Sequence, residues 1–132
     1  MRTVSLEMAK KLKEAGLQWE PTEGDVFVAL GDQNDVLAYT ITPPRVIYMD
    51  KERNLWLPTL SDLLEWLEGR GYYVDMYAEK WGSKRIYGCE LGRPDSIMDA
   101  VCLVAEFTGD SYEDVAAKAV LWVLEQKAGK GD

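Results

Sequence analysis

The sequence predicts an α+β fold in which an antiparallel sheet, built from a strand meander and a second hairpin, packs against about four helices. Two observations lead there. Stretches of period-two alternation fall next to one another with connections too short for parallel crossovers, and stretches of helical spacing flank them. At 132 residues the chain fits a single domain, 1–132, able to bury a conventional core.

Ser5 to Ala15 reads as a first helix, capped by Ser5 and stopped by Gly16. Its apolar stripe of Leu6, Met8, Ala9, Leu12 and Ala15 is narrow, which suits a helix laid on the surface of the fold. From Asp25 to Met49 the β-rich run Val26–Leu30, the turn residues GDQND and the run VLAYTI form a hairpin. Pro43 and Pro44 break it, Arg45 to Met49 supplies a third strand, and Leu55-Trp56-Leu57 a short fourth.

Pro58 to Gly71 is the clearest helix: Thr59 caps the amide of Asp62, and Leu60, Leu63, Leu64 and Leu67 recur at helical spacing. Tyr72 to Ala78 and Lys84 to Leu91 form the second hairpin around the loop Glu79–Ser83. In its first strand Tyr72, Val74 and Met76 alternate with Tyr73, Asp75 and Tyr77, so the solvent face is rich in tyrosine. Two helices then close the chain, one from Asp95 or Ser96 to Phe107 and one opened by Ser111 with Asp114. Both are apolar nearly all round, which places them at the centre of the fold or against a partner, as in a homodimer through the C-terminal helices. Lys127 to Asp132 reads as a disordered tail.

Net charge is −8, from 15 basic and 23 acidic residues. Direct nucleic-acid binding is therefore not expected. No apolar run is long enough for a membrane span, and the lysines of the N-terminal segment do not suit a signal peptide, so the expectation is a cytoplasmic protein. Cys89 and Cys102 are expected to be reduced and buried.

Candidate chemistry is sparse, and no cofactor or metal is expected. Asp32-Gln33-Asn34-Asp35 lacks the glycine and distal glutamate of a calcium loop and reads as a turn. Asp75 and Glu90 face each other across the second hairpin if the register allows, near Tyr73 and Tyr77, and would then form a carboxylate pair of the type used in acid-base catalysis. A pocket beside them is the condition for that reading. Cys89 has no histidine to activate it, because the chain contains none. Trp81 at the hairpin tip either folds back over the sheet or contacts a partner, whereas Trp19, Trp56, Trp66 and Trp122 belong to the core or its edge.

Asp95, Asp99, Glu106, Asp110, Glu113 and Asp114 form a run free of lysine and arginine. It is read as a solvated helix surface or as an acidic face for a basic partner. Tyr73, Tyr77, Trp81, Asp99, Glu106 and Asp110 are accordingly the candidate partner-binding residues.

The patterns SLEMAKKLKEAGLQWEPTEGDVF, LPTLSDLLEWLEGRG and SYEDVAAKAVLWVLEQ resemble short uncharacterised proteins encoded by Gram-positive bacteria and their prophages. These motifs are structural, and the resemblance implies no catalytic residue. Three expectations follow in order: a non-catalytic interaction module that binds another protein or itself; an acidic inhibitor or immunity-type protein that binds a basic enzyme; and a small enzyme using the carboxylates of the second hairpin.

Overall fold

A computed structural model describes residues 2–29, 39–41, 50–95 and 100–129. Among these the fold is α+β, with three helices and two three-stranded antiparallel sheets. The order is α1 (Leu6–Glu14), β1 (Val26–Ala29), β2 (Tyr39–Thr40), β3 (Asn54–Leu57), α2 (Leu60–Gly69), β4 (Tyr73–Trp81), β5 (Lys84–Asp95), β6 (Ala100–Gly109) and α3 (Tyr112–Gly129).

The capping signals act as read. Met8 N–H donates to Ser5 Oγ at 3.1 Å, and Gly16 follows α1 with φ of +103°. At the start of α2, Asp62 N–H donates to Thr59 Oγ1 at 3.2 Å while Thr59 N–H donates to Asp62 Oδ2 at 2.9 Å, a reciprocal capping box. Asp114 N–H donates to Ser111 Oγ at 3.0 Å where α3 begins.

The first sheet is not a simple meander. Its order is β2-β1-β3, so β1 is central and pairs Val26 with both Thr40 and Leu57. The GDQND turn, the Pro43-Pro44 break and the strand expected over 45–49 lie outside the described residues. The second sheet, β4-β5-β6, is larger, and β4 and β5 meet at a two-residue turn, Gly82-Ser83, with Gly82 at φ of +66°. The five-residue loop expected there is shorter because Glu79, Lys80 and Trp81 continue the ladder opposite Ile86, Arg85 and Lys84.

The largest correction concerns the helix expected up to Phe107. Ala100–Gly109 is strand β6, paired antiparallel with β5 from Tyr87↔Gly109 to Asp95↔Ala100, so there are three described helices rather than four. Residues 96–99 of that expected helix lie outside the described residues. The final helix stands, and it runs to Gly129, into the stretch read as a tail.

Helix α3 occupies the centre. It contacts α1, α2, β5 and β6, and Val115, Ala116, Ala117, Ala119 and Val120 are wholly buried along it. The alanines explain how it fits: side chains without bulk let neighbouring elements approach closely from several sides. One buried cluster joins α3 to Leu12 of α1, Leu63 and Leu67 of α2, Val28 and Leu55 of the first sheet, and Cys89 and Leu91 of the second. Much of the apolar surface of α3 is therefore covered within the chain, while Leu121 and Trp122 are half-buried at its margin.

Candidate functional site

Register decides the site. In the second sheet Asp75 pairs with Glu90, and Glu90 pairs with Glu106, so one row across three strands carries three carboxylates. Tyr77 pairs with Gly88 and Gly88 with Thr108 in the next row, while Tyr73 pairs with Gly92 on the opposite side. Alternation puts Tyr73, Asp75 and Tyr77 on the outer face, while Val74 and Met76 turn inward against the core.

An irregularity completes this face. Leu91 pairs with Ala105 but Gly92 pairs with Leu103, so β6 carries one extra residue, Val104, at a β-bulge. Leu103 and Glu106 are three residues apart and would point to opposite faces of a regular strand. The bulge puts both on the outer face, since their partners Gly92 and Glu90 are two apart. Two glycines make room there: a Cβ at Gly92 would lie 2.5 Å from Val101 Cγ1, and one at Gly88 would run into the ring of Tyr77.

The ring of Tyr77 crosses Gly88 toward β6, and its hydroxyl donates to Glu106 Oε2 at 2.6 Å. That bond, then partial loss of water, then the charges of Glu106, Glu79 and Glu90 push the phenol up to about 12. The Glu90 carboxyl is raised above its ordinary value of 4.5, first by loss of water, then by a hydrogen bond with Glu106, and then by the charges of Glu106 and Asp75. Like charges placed directly opposite across strands repel, and none of the three carboxylates forms an ion pair with a described residue. A hollow of about 230 Å³ opens beside them, lined by Tyr73, Asp75, Glu90, Gly92, Val101 and Leu103 among others.

Stability should record this strain. The folded state holds the Glu90 proton more tightly than the unfolded chain does, so stability falls as pH rises through the raised pKa, and the penalty is absent below about 4.5. Urea midpoints of Glu90→Gln and the parent should coincide at the acid end and diverge in favour of the variant toward neutrality. Midpoints that stay in step throughout would remove this account.

The other expected site residues divide. Trp81 is 64% exposed at the end of β4, and its Nε1 donates to Glu79 Oε2 at 3.0 Å, so it does not fold back into the core. Tyr73 is 55% exposed. Glu106 does not belong to a helix surface with Asp110; it sits in the carboxylate row, while Asp110 is exposed at the junction of β6 and α3. Asp99 lies outside the described residues. The acidic run is also not one cation-free strip in space, since Glu113 pairs with Arg2 at 3.3 Å and Asp114 with Lys118 at 3.3 Å.

Val101, Leu103 and Gly92 were absent from the expected set. Period-two spacing of Val101 with Leu103, and of Ala105 with Phe107, is the signal that marks them, interrupted by Val104. Cys89 is wholly buried, which with the charges of Asp75 and Glu90 pushes its thiol up to about 11, whereas Cys102 is exposed rather than buried and no disulfide joins the two.

No family model, curated protein or solved structure matches the chain. Among the described residues no cluster of His, Cys, Asp and Glu has a metal-holding arrangement, and no helix is long and apolar enough to cross a membrane.

A second hollow of about 230 Å³, between α1 and β3, is lined by Leu12, Leu17, Trp19, Leu55 and Trp56 and other residues. Its chemistry is already engaged. Lys13 Nζ donates to the carbonyls of Lys51 at 2.9 Å and of Glu52 and Asn54 at 3.4 Å, and Trp19 stacks on Trp56 with centroids 6.2 Å apart. Trp56 Nε1 has no described hydrogen-bond partner, but water cannot reach it, so an occupant of the hollow could not bond to it either. The outer face of the second sheet, where three carboxylates share one row, is the candidate site.

Proposed function

We propose that the protein is a non-catalytic interaction module whose outer β4–β6 face binds a cationic segment of another protein. One observation carries the reading: Asp75, Glu90 and Glu106 lie in a single row, two tyrosines beside them, with no described cation to neutralise them. A lysine or arginine from outside would relieve the repulsion within the row and form charge-assisted hydrogen bonds, while the tyrosine rings would cover its aliphatic stem. An inhibitor of a basic enzyme is one form such a module would take.

The test is titration with an oligolysine peptide at low ionic strength, followed by amide chemical shifts. Binding should perturb β4, β5 and β6 near the row, weaken as salt is added, and fall roughly tenfold in the Glu90→Gln/Glu106→Gln double variant. Equal affinity in the double variant would sink the reading.

A second reading, acid-base catalysis by Glu90, is favoured by its raised proton affinity beside a hollow. It requires the Glu90 proton to persist toward neutral pH, and the urea series described above decides that. The binding reading needs only the row itself.

A further inference from the structure

We propose that the outer edge of β6, from Val101 to Glu106, takes an extended peptide as a fourth strand of the sheet, apolar opposite Val101 and Leu103 and basic opposite Glu106. This rests on the cationic-partner reading and adds the binding mode. Strand β6 lies at the edge of the sheet, and among the described residues it pairs only with β5. Edge strands in stable proteins are guarded by charges, prolines or short length. The opposite edge, β4, follows that rule with Asp75, Glu79 and Lys80.

The first half of β6 does not. Ala100 to Val104 carries no charge, and Val101, Leu103 and Val104 are 54%, 61% and 40% exposed. An added strand would take up the backbone groups of this edge, and its alternate side chains would meet the outer face. Because the bulge aligns Leu103 with Glu106, that strand would meet two apolar side chains and then a carboxylate on the same side.

Charge selects the occupant. Glu106 continues the row through Glu90 to Asp75, and none of the three has a described cation. A second copy would bring another chain of net charge −8, and its own β6 contains neither lysine nor arginine to set against Glu106. A basic extended peptide supplies what the edge lacks.

The probes are a synthetic peptide, Thr-Val-Thr-Val-Thr-Lys-Lys, and the same peptide N-methylated at alternate residues, which cannot form a continuous ladder. The unmodified peptide should protect the amides of β6 from hydrogen exchange, and N-methylation should weaken binding about tenfold or more. Leu103→Lys, at an exposed position whose folding circular dichroism verifies, should block the edge, and Glu106→Gln should reduce the salt dependence. If both peptides bind equally and shift only outer-face residues of β4 and β5, the cationic-face reading survives and strand addition is overturned. If neither binds, both fall. If sedimentation shows a parent dimer that Leu103→Lys dissociates, the edge belongs to a second copy and the peptide proposal is overturned.

Discussion

Val120→Asp is expected to abolish cooperative folding. Val120 is wholly buried in α3, the helix that contacts α1, α2 and two strands of the second sheet. A carboxylate there would sit within the buried hydrophobic cluster, and an unpaired buried charge costs several kcal/mol even when the surroundings relax. Domains of this size are stable by only about 5–15 kcal/mol, so the loss is comparable to the whole. Val120→Ala should cost about 2 kcal/mol, the transfer and cavity terms for two methyl groups, and leave the fold intact. Amide spectra and urea melts separate the two outcomes. A dispersed spectrum with an unchanged midpoint for Val120→Asp would show that α3 is not the centre of the core.

Deletion of Val104 is expected to remove Val101 and Leu103 from the outer face while sparing the core. Without the extra residue, one half of β6 must shift its register by one, which turns its side chains over. Burial decides which half moves. Phe107 is half-buried and packs edge-on against Trp122 at 6.3 Å between centroids, and turning it out would cost on the order of 1–2 kcal/mol. Val101 and Leu103 are already exposed and lose little by turning. The carboxylate row should therefore persist, and contacts between Val101 and Gly92 should vanish from nuclear Overhauser spectra. Binding of the extended peptide should weaken about tenfold or more, to the level of its N-methylated form on the persisting row. Val104→Ala keeps the extra residue and should behave almost as the parent. Loss of the Phe107–Trp122 contact in the deletion variant would contradict this ordering of costs.

The same bulge explains how much of the fold was legible in the sequence. Capped helices were readable, because Ser5, Thr59 and Ser111 bond to backbone amides three residues on, a local interaction that the sequence displays directly. The alternation of Tyr72 to Tyr77 was readable for a similar reason. The stretch up to Phe107 was not, because Val101, Leu103, Val104 and Phe107 fall at spacings of two, one and three, and an interrupted period of two resembles a helix.

The site is legible only in part for the same reason. Local spacing places Glu106 on a helix, apart from Asp75 and Glu90, whose approach across the hairpin depends on a register that only the structure supplies. The third member of the row needed β6, and β6 needed long-range pairing that no local pattern encodes. The edge position of β6 and the central position of β1 are likewise consequences of strand order, which sequence spacing does not carry.

The contrast between the two cysteines gives the molecule an internal clock. Cys89 lies on the middle strand of the second sheet, wholly buried and with its thiol pushed up to about 11, while Cys102 is exposed on the neighbouring strand. Alkylation of Cys89 must await an opening of the sheet that both exposes the sulfur and restores an ordinary thiol acidity. Its labelling rate, set against that of Cys102 in the same tube, therefore measures how often the carboxylate-bearing sheet parts from α3, without an added probe and with no residue replaced.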